Sequence, residues 1–213
     1  CMLWAPTGVG KTAAALLWAS RNQDSGRRIF YALPYVASIN AMQREFQTEY
    51  GVAQDDIGIL HHRALYFIYK SFLEKDTETI DPMEARRIAR VIHDQTRKIY
   101  MPIKILTPYQ LIKPFYGIKG SEATIAEMAG GLFIFDEIHA YEPRAVGLIT
   151  RLFKELEKLA GKCLFMSATL PQFLRELLNK NRGSYLKSIM LNPDEARERR
   201  LLHQTRHTPI LMN

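Results

Sequence analysis

Ala5-Pro6-Thr7-Gly8-Val9-Gly10-Lys11-Thr12 stands between a short apolar run, Met2 to Trp4, and a stretch of helical period, Lys11 to Ser20. A glycine-rich turn that leaves a strand and opens a helix is the setting in which a phosphate loop works. Gly8 and Gly10 let the backbone curl until several N–H groups point at one centre, and the first helical turn adds its positive dipole end. Thr7, Gly8, Val9 and Gly10 are therefore expected to cradle the phosphates of ATP. Lys11 supplies a point charge to the β- and γ-phosphates, and Thr12 offers a hydroxyl to Mg²⁺, a hard cation that takes oxygen ligands.

Outward from this loop, short apolar runs alternate with helical stretches, the pattern of repeated βαβ units. Strands are expected at Met2 to Trp4, Ile29 to Leu33, Ile57 to Leu60, Ile103 to Leu106, Leu132 to Phe135, Leu164 to Met166 and Ile189 to Leu191. Helices are expected over Lys11 to Ser20, Val36 to Tyr50 and Arg144 to Leu159, the last with Ala145, Leu148, Ile149, Leu152, Leu156 and Leu159 on one core-facing stripe. Residues 62–100 form a long connection of helical pattern and are expected to be a helical insertion. Its Asp81, Pro82 and Glu84 resemble a capping box. On the helix that follows, Ala85, Ile88, Ala89 and Ile92 face inward, while Arg86, Arg90, His93 and Arg97 share another face. That basic stripe fits either a phosphate track or a solvated helix face.

The run Leu132-Phe133-Ile134-Phe135 ends in Asp136-Glu137-Ile138-His139, two acids at the C-terminal end of an apolar strand, where parallel sheets bind ligands. Asp136 is expected to hold Mg²⁺ through water, Glu137 to orient and deprotonate the attacking water, and His139 to report the γ-phosphate to a neighbouring element. A third strand ends in Ser167-Ala168-Thr169. Alone that tripeptide is common; after the other two it reads as the element that couples hydrolysis to motion, through Ser167 and Thr169.

These motifs in order resemble those of superfamily-two helicases, which also use the Ala5 variant of the phosphate loop. The resemblance implies an α/β fold of RecA-like P-loop type: three layers, a central mainly parallel sheet, and the helical insertion at 62–100. Residues 1–191 would be the first RecA-like ATP-binding domain, and 192–213 a linker toward a second one. The flanking words are more specific. Ala32-Leu33-Pro34-Tyr35-Val36-Ala37-Ser38-Ile39-Asn40-Ala41-Met42, Ile105-Leu106-Thr107-Pro108-Tyr109-Gln110-Leu111 and Phe135-Asp136-Glu137-Ile138-His139-Ala140-Tyr141 are similar to the CRISPR-associated helicase-nuclease of type I systems. That resemblance implies an antiviral motor, recruited by an RNA-guided surveillance complex, that moves along displaced single-stranded DNA. Pro34, Tyr35, Ser38 and Asn40, with Thr107, Pro108 and Gln110, sit where strand ends lead into helices and are the candidate DNA contacts. Backbone N–H groups and small polar side chains there can hold phosphates without reading bases.

Composition fits this frame. The formal net charge is +7, from 29 Lys and Arg against 22 Asp and Glu, and such a surface attracts polyanions. The two cysteines, Cys1 and Cys163, make no disulfide framework or metal spacing, which points to a reducing compartment, the cytoplasm. No run has the length to span a membrane, so none is expected as a partner. Only Cys1 to Trp4 precede the phosphate loop, so the chain is expected to begin inside a larger protein. No Gln-x-x-Gly-Arg signature follows Thr169; the second RecA-like domain is expected to supply the arginine finger, and the chain alone to turn over poorly. The family's His-Asp nuclease is expected elsewhere, because His93-Asp94 lies within a helix without further ligands at metal spacing, and His61-His62 reads as a strand-end pair. Two other functions remain open on the residues alone: another superfamily-two motor acting on RNA or duplex DNA, and a docking module that ATP merely stabilises.

Overall fold

The computed structural model describes residues 1–6, 8–22, 27–75, 81–97, 101–117, 120–169, 176 and 188–190, with backbone alone at 71, 73–75, 97, 143 and 188–190. Within them the elements run β1 (Met2–Trp4), α1 (Lys11–Asn22), β2 (Ile29–Ala32), α2 (Val36–Thr48), β3 (Ile57–Leu60), α3 (Ala64–Lys75), α4 (Pro82–Arg97), β4 (Ile103–Leu106), α5 (Pro108–Ile112), α6 (Ser121–Met128), β5 (Leu132–Phe135), α7 (Pro143–Lys158), β6 (Lys162–Ser167) and β7 (Ser188–Met190). Thr7, residues 98–100 and the expected linker at 192–213 lie outside the described residues, as does the side chain of Arg97.

The strands form one sheet in the order β3-β4-β2-β5-β6-β1-β7, and every pairing is parallel. The apolar runs dictate this arrangement. Leu132, Phe133, Ile134 and Phe135 are all at 0% exposure, which only a strand covered on both faces allows. Alternate residues feed two cores. Phe30, Ala32, Leu106, Phe133, Phe135 and Phe165 pack on one side against α5, α6 and α7. Tyr31, Ile57, Ile59, Ile105, Ile134 and Leu164 pack on the other against α1 to α4. The result is three layers. On α7, Ala145, Ile149, Leu152 and Leu156 are buried and Leu148 and Leu159 partly so, matching the stripe read from the sequence.

The expected insertion is the pair α3 and α4, lying against the edge strand β3. Gly58 permits that approach: a Cβ there would collide with Thr96 of α4. The start of α4 is half of a capping box. The Asp81 carboxylate accepts from the Met83 backbone N–H at 3.3 Å, but Glu84 turns to Arg87 at 2.6 and 2.8 Å instead of reaching back.

The helix into which Thr107 to Gln110 were expected to lead is α5; the short helix α6 was not expected from the sequence, and it is fixed by a buried ion pair. Lys104, in the middle of β4, places its ammonium 2.6 and 2.7 Å from the two carboxylate oxygens of Glu127, and Arg28 Nε lies 3.6 Å from the same group. Burial pulls the Lys104 pKa down and pushes that of Glu127 up, against the attraction between them.

Candidate functional site

The level register of the sheet brings three motifs to one edge. Trp4 pairs with Ser167, and Ala32 pairs with both Phe135 and Leu106. Ala5-Pro6, Asp136-Glu137 and Ser167-Ala168 thus emerge side by side from β1, β5 and β6. Further bonds tie β1 to the third motif: the Ala5 N–H donates to the Ser167 carbonyl at 3.2 Å, and the Trp4 indole donates to the Ala168 carbonyl at 2.9 Å.

Gly8 and Gly10 both have positive φ, +75° and +88°, the left-handed backbone that lets the loop turn back over the start of α1. Lys11 is 8% exposed; its ammonium donates to the Ala5 and Pro6 carbonyls, each at 3.2 Å, and lies 3.8 Å from Glu137 Oε1. Val9 is half-buried and Gly8 and Gly10 are exposed at the mouth of the loop.

Asp136 is 6% exposed, and both oxygens are held. Oδ1 accepts from the Glu137 backbone N–H at 2.8 Å and Oδ2 from the Tyr31 hydroxyl at 2.8 Å. Burial pushes its carboxyl pKa up, while these two donors and Lys11 favour the charged form. Tyr31 was not foreseen. It sits in a strand where the pattern implies only a core aromatic, and its phenol is raised well above the ordinary value by burial, by Asp136 and by the hydrogen bond it donates. The Thr12 hydroxyl lies beside the same phenol and beside Glu45, a carboxylate of α2 whose pKa burial raises. The Thr12 hydroxyl and the Asp136 carboxylate are both hard oxygen donors, the type that Mg²⁺ takes.

Glu137 adopts φ 49° and ψ 45°, a left-handed conformation that a side chain bearing a Cβ rarely accepts. Such strain is characteristic of sites where geometry serves chemistry. Its Oε1 faces Lys11, while Oε2 lies 3.2 Å from His139 Nδ1 and makes no hydrogen bond among the described residues. His139 Nδ1 is instead 2.8 Å from Ser167 Oγ. The Ser167 hydroxyl also meets the Thr169 carbonyl, and it can accept from the imidazole while donating there. A chain Lys11, Glu137, His139, Ser167, Thr169 therefore joins the phosphate loop to the third motif. The carboxylate oxygen left over, Glu137 Oε2, is itself buried.

The other half of the same edge holds the expected nucleic-acid residues. Tyr35 is 57% exposed, and its hydroxyl donates to the Ala140 carbonyl at 3.4 Å, next to His139. Pro34, Ser38, Asn40, Thr107 and Gln110 are half-buried. Two candidates do structural work. Pro108 is buried in the first turn of α5, so the surface at that end belongs to Tyr109 and Gln110. Asn40 Oδ1 accepts from His61 Nε2 at 3.3 Å, while His61 Nδ1 accepts from the Arg63 backbone N–H at 3.1 Å. His61 is thus a buried neutral imidazole, its pKa lowered to about 4 by burial first and then by His62 and His93. No group of three metal-binding side chains occurs among the described residues, and His93 Nδ1 is 3.6 Å from Asp94. No described helix is long and apolar enough to cross a membrane.

A family model described as DEAD/DEAH box helicase matches residues 1–177. The CRISPR-associated nuclease/helicase Cas3 of Methanothermobacter thermautotrophicus is 26% identical over 213 residues, 99% of this chain and 24% of that protein. The CRISPR-associated endonuclease/helicase Cas3 of Escherichia coli K12 is 24% identical over 195 residues, 88% of this chain and 22% of that protein. Among solved structures, T. fusca Cas3-AMPPNP superposes with a TM-score of 0.64 at 25% identity, covering 87% of this chain and 21% of that one. The chain thus spans less than a quarter of the length of each of these relatives.

Proposed function

The chain belongs to the DEAD/DEAH box helicase family, and from that premise we propose that it is the first RecA-like unit of a motor that hydrolyses MgATP to move along single-stranded DNA in type I CRISPR interference. The observation that carries the proposal is the chain from Lys11 through Glu137 and His139 to Ser167, which puts a nucleotide loop, a carboxylate base and a coupling element in contact. Support comes also from the relatives named Cas3 and from the nucleotide analogue in the name of the T. fusca structure.

In this reading the residues of the loop, Thr7 to Gly10, turn their backbone N–H groups to the phosphates. Lys11 leaves the Ala5 and Pro6 carbonyls for the β- and γ-phosphate oxygens. Thr12, and Asp136 through water, would hold Mg²⁺, which when bound would neutralise charge on the transferring phosphoryl group. Tyr31 and the Glu137 N–H donate to both Asp136 oxygens and favour its charged form against the burial that pushes its pKa up. Glu137 orients a water and takes its proton; location beside the γ-phosphate matters more here than an unusual pKa. His139 and Ser167 carry the change at Glu137 to Thr169 and β6.

The proposal includes a second RecA-like domain that closes the cleft and supplies an arginine finger, a contribution of ~10³ or more in rate, so this unit alone is weakly active or inactive. It includes a His-Asp nuclease domain or subunit, recruitment by an RNA-guided surveillance complex, and a cytoplasmic site of action. The test is ATP turnover by the full-length protein containing this chain, with single-stranded DNA, duplex DNA or single-stranded RNA added. Stimulation by single-stranded DNA above the other two is expected. Equal or greater stimulation by RNA or duplex would assign the motor to another substrate.

A further inference from the structure

Beyond Gln110 the edge of the sheet opens into a cleft of 330 Å³ where the end of β3 meets α4, α5 and α6. We infer that the helical insertion carries an outer stretch of the single-stranded DNA track: phosphates enter the cleft between His62, His93, Gln110 and Lys113 and continue along α4 past Arg90 and Arg86. The inference rests on the single-stranded DNA reading above and extends it to residues outside the helicase motifs.

Three observations carry it. First, the cleft is continuous with the strand-end loops, because Gln110 lines both. Second, its wall suits an anion. Three histidines, Lys113, Gln110, Ser121 and Thr124 line it with Leu60, Pro114 and Gly120, and no carboxylate does. Asp94 sits 3.6 Å from His93 Nδ1 but is outside the lining, and Lys113 brings a cation to the wall. Third, the cations that continue the track differ from their neighbour Arg87. Arg87 is held by Glu84 at 2.6 Å, whereas Arg86, Arg90 and Lys113 meet no carboxylate among the described residues. Arg86, Arg90 and His93 follow at intervals of four and three on α4, so they share one face, about 10 Å long at 1.5 Å per residue. That is long enough to face more than one phosphate. Inward packing of Ala85 and Ala89 fixes the rotation of the helix.

A sequence-indifferent track gains affinity by releasing counterions, so each phosphate neutralised leaves a signature in salt dependence. The experiment measures binding of a graded series of dT oligonucleotides to the full-length protein by fluorescence anisotropy across salt concentrations. The wild type is compared with a Lys113→Gln/Arg86→Gln/Arg90→Gln variant and with Arg86→Lys/Arg90→Lys. The glutamine variant is expected to bind long oligonucleotides roughly tenfold more weakly and to lower the salt slope by about 0.7 per phosphate lost. The shortest oligonucleotides and a fluorescent ATP analogue should be bound as by the wild type, and the lysine variant should keep the wild-type slope. An unchanged slope at every length in the glutamine variant overturns the inference and leaves the DNA reading standing. A wild type that binds no dT oligonucleotide overturns both.

Discussion

His139 Nδ1 lies 2.8 Å from the Ser167 hydroxyl and 3.2 Å from Glu137 Oε2, so one imidazole bridges the acid that faces the nucleotide loop and the strand end that follows it. The two approaches are not equivalent: the imidazole is hydrogen-bonded to Ser167, whereas Glu137 Oε2 makes no hydrogen bond among the described residues.

From this geometry, Ser167→Ala should spare nucleotide binding but loosen the imidazole. Basal ATP turnover in the full-length protein should fall no more than about fivefold, since the imidazole loses one hydrogen bond, worth about 1 kcal/mol. DNA unwinding or translocation per ATP should drop much further. Parallel ATPase and strand-displacement assays check this; equal losses in both would mean that Ser167 acts in hydrolysis alone.

The left-handed backbone of Glu137 implies a trade of stability against function. Glu137→Gly removes the Cβ that makes φ 49° costly. It should raise stability by about 0.5–1 kcal/mol while abolishing turnover. A urea midpoint at or below that of Glu137→Ala would show that the backbone there is unstrained.

Breaking the buried ion pair of β4 and α6 should be the most destabilising change outside the cores. Glu127→Leu leaves Lys104 uncompensated at 1% exposure, beside Arg28, and should cost about 3–5 kcal/mol. The double variant Lys104→Met/Glu127→Leu should recover most of that loss. Chemical denaturation of the single and double variants decides it, and additive losses would mean that packing matters more than charge.

His61 predicts an acid sensitivity of known sign. Its folded pKa of about 4 lies below the ordinary 6.5, so the unfolded chain takes up the proton first. The contribution is intact above pH 6.5, declines as pH falls toward 4 and levels off below it. The slope within that window approaches about 1.4 kcal/mol per pH unit for one proton. Melting curves of the wild type and His61→Gln should therefore diverge with rising pH across the window; parallel curves would mean that His61 is not held neutral.

The strands could be placed from sequence because each is a short, mostly apolar run closed by turn residues, and burial on both faces leaves little freedom in central runs such as β2 and β5. The boundaries of α7 were equally legible, since its stripe faces a single core. Less legible were elements whose fixing partner is remote. Ser121 to Met128 carries a weak period, and what pins it is Glu127 meeting Lys104, 23 residues earlier in a strand where alternation implies an outward lysine. Tyr31 reads as a core aromatic, and only the fold brings its hydroxyl to Asp136, 105 residues away. Asn40 and Pro108 lie in the expected loops, yet one is bonded to His61 and the other is buried, because a helix start needs some of its own residues for itself.

The most direct test of the nucleotide site compares Lys11→Ala and Glu137→Gln in the full-length protein, measuring binding of a fluorescent ATP analogue and hydrolysis with single-stranded DNA present. Lys11→Ala should lose both, while Glu137→Gln should bind the nucleotide as the wild type does and hydrolyse it at least ~10²-fold more slowly. Hydrolysis by Glu137→Gln at the wild-type rate would contradict the assignment of Glu137 as the base and with it the account of how this edge of the sheet works.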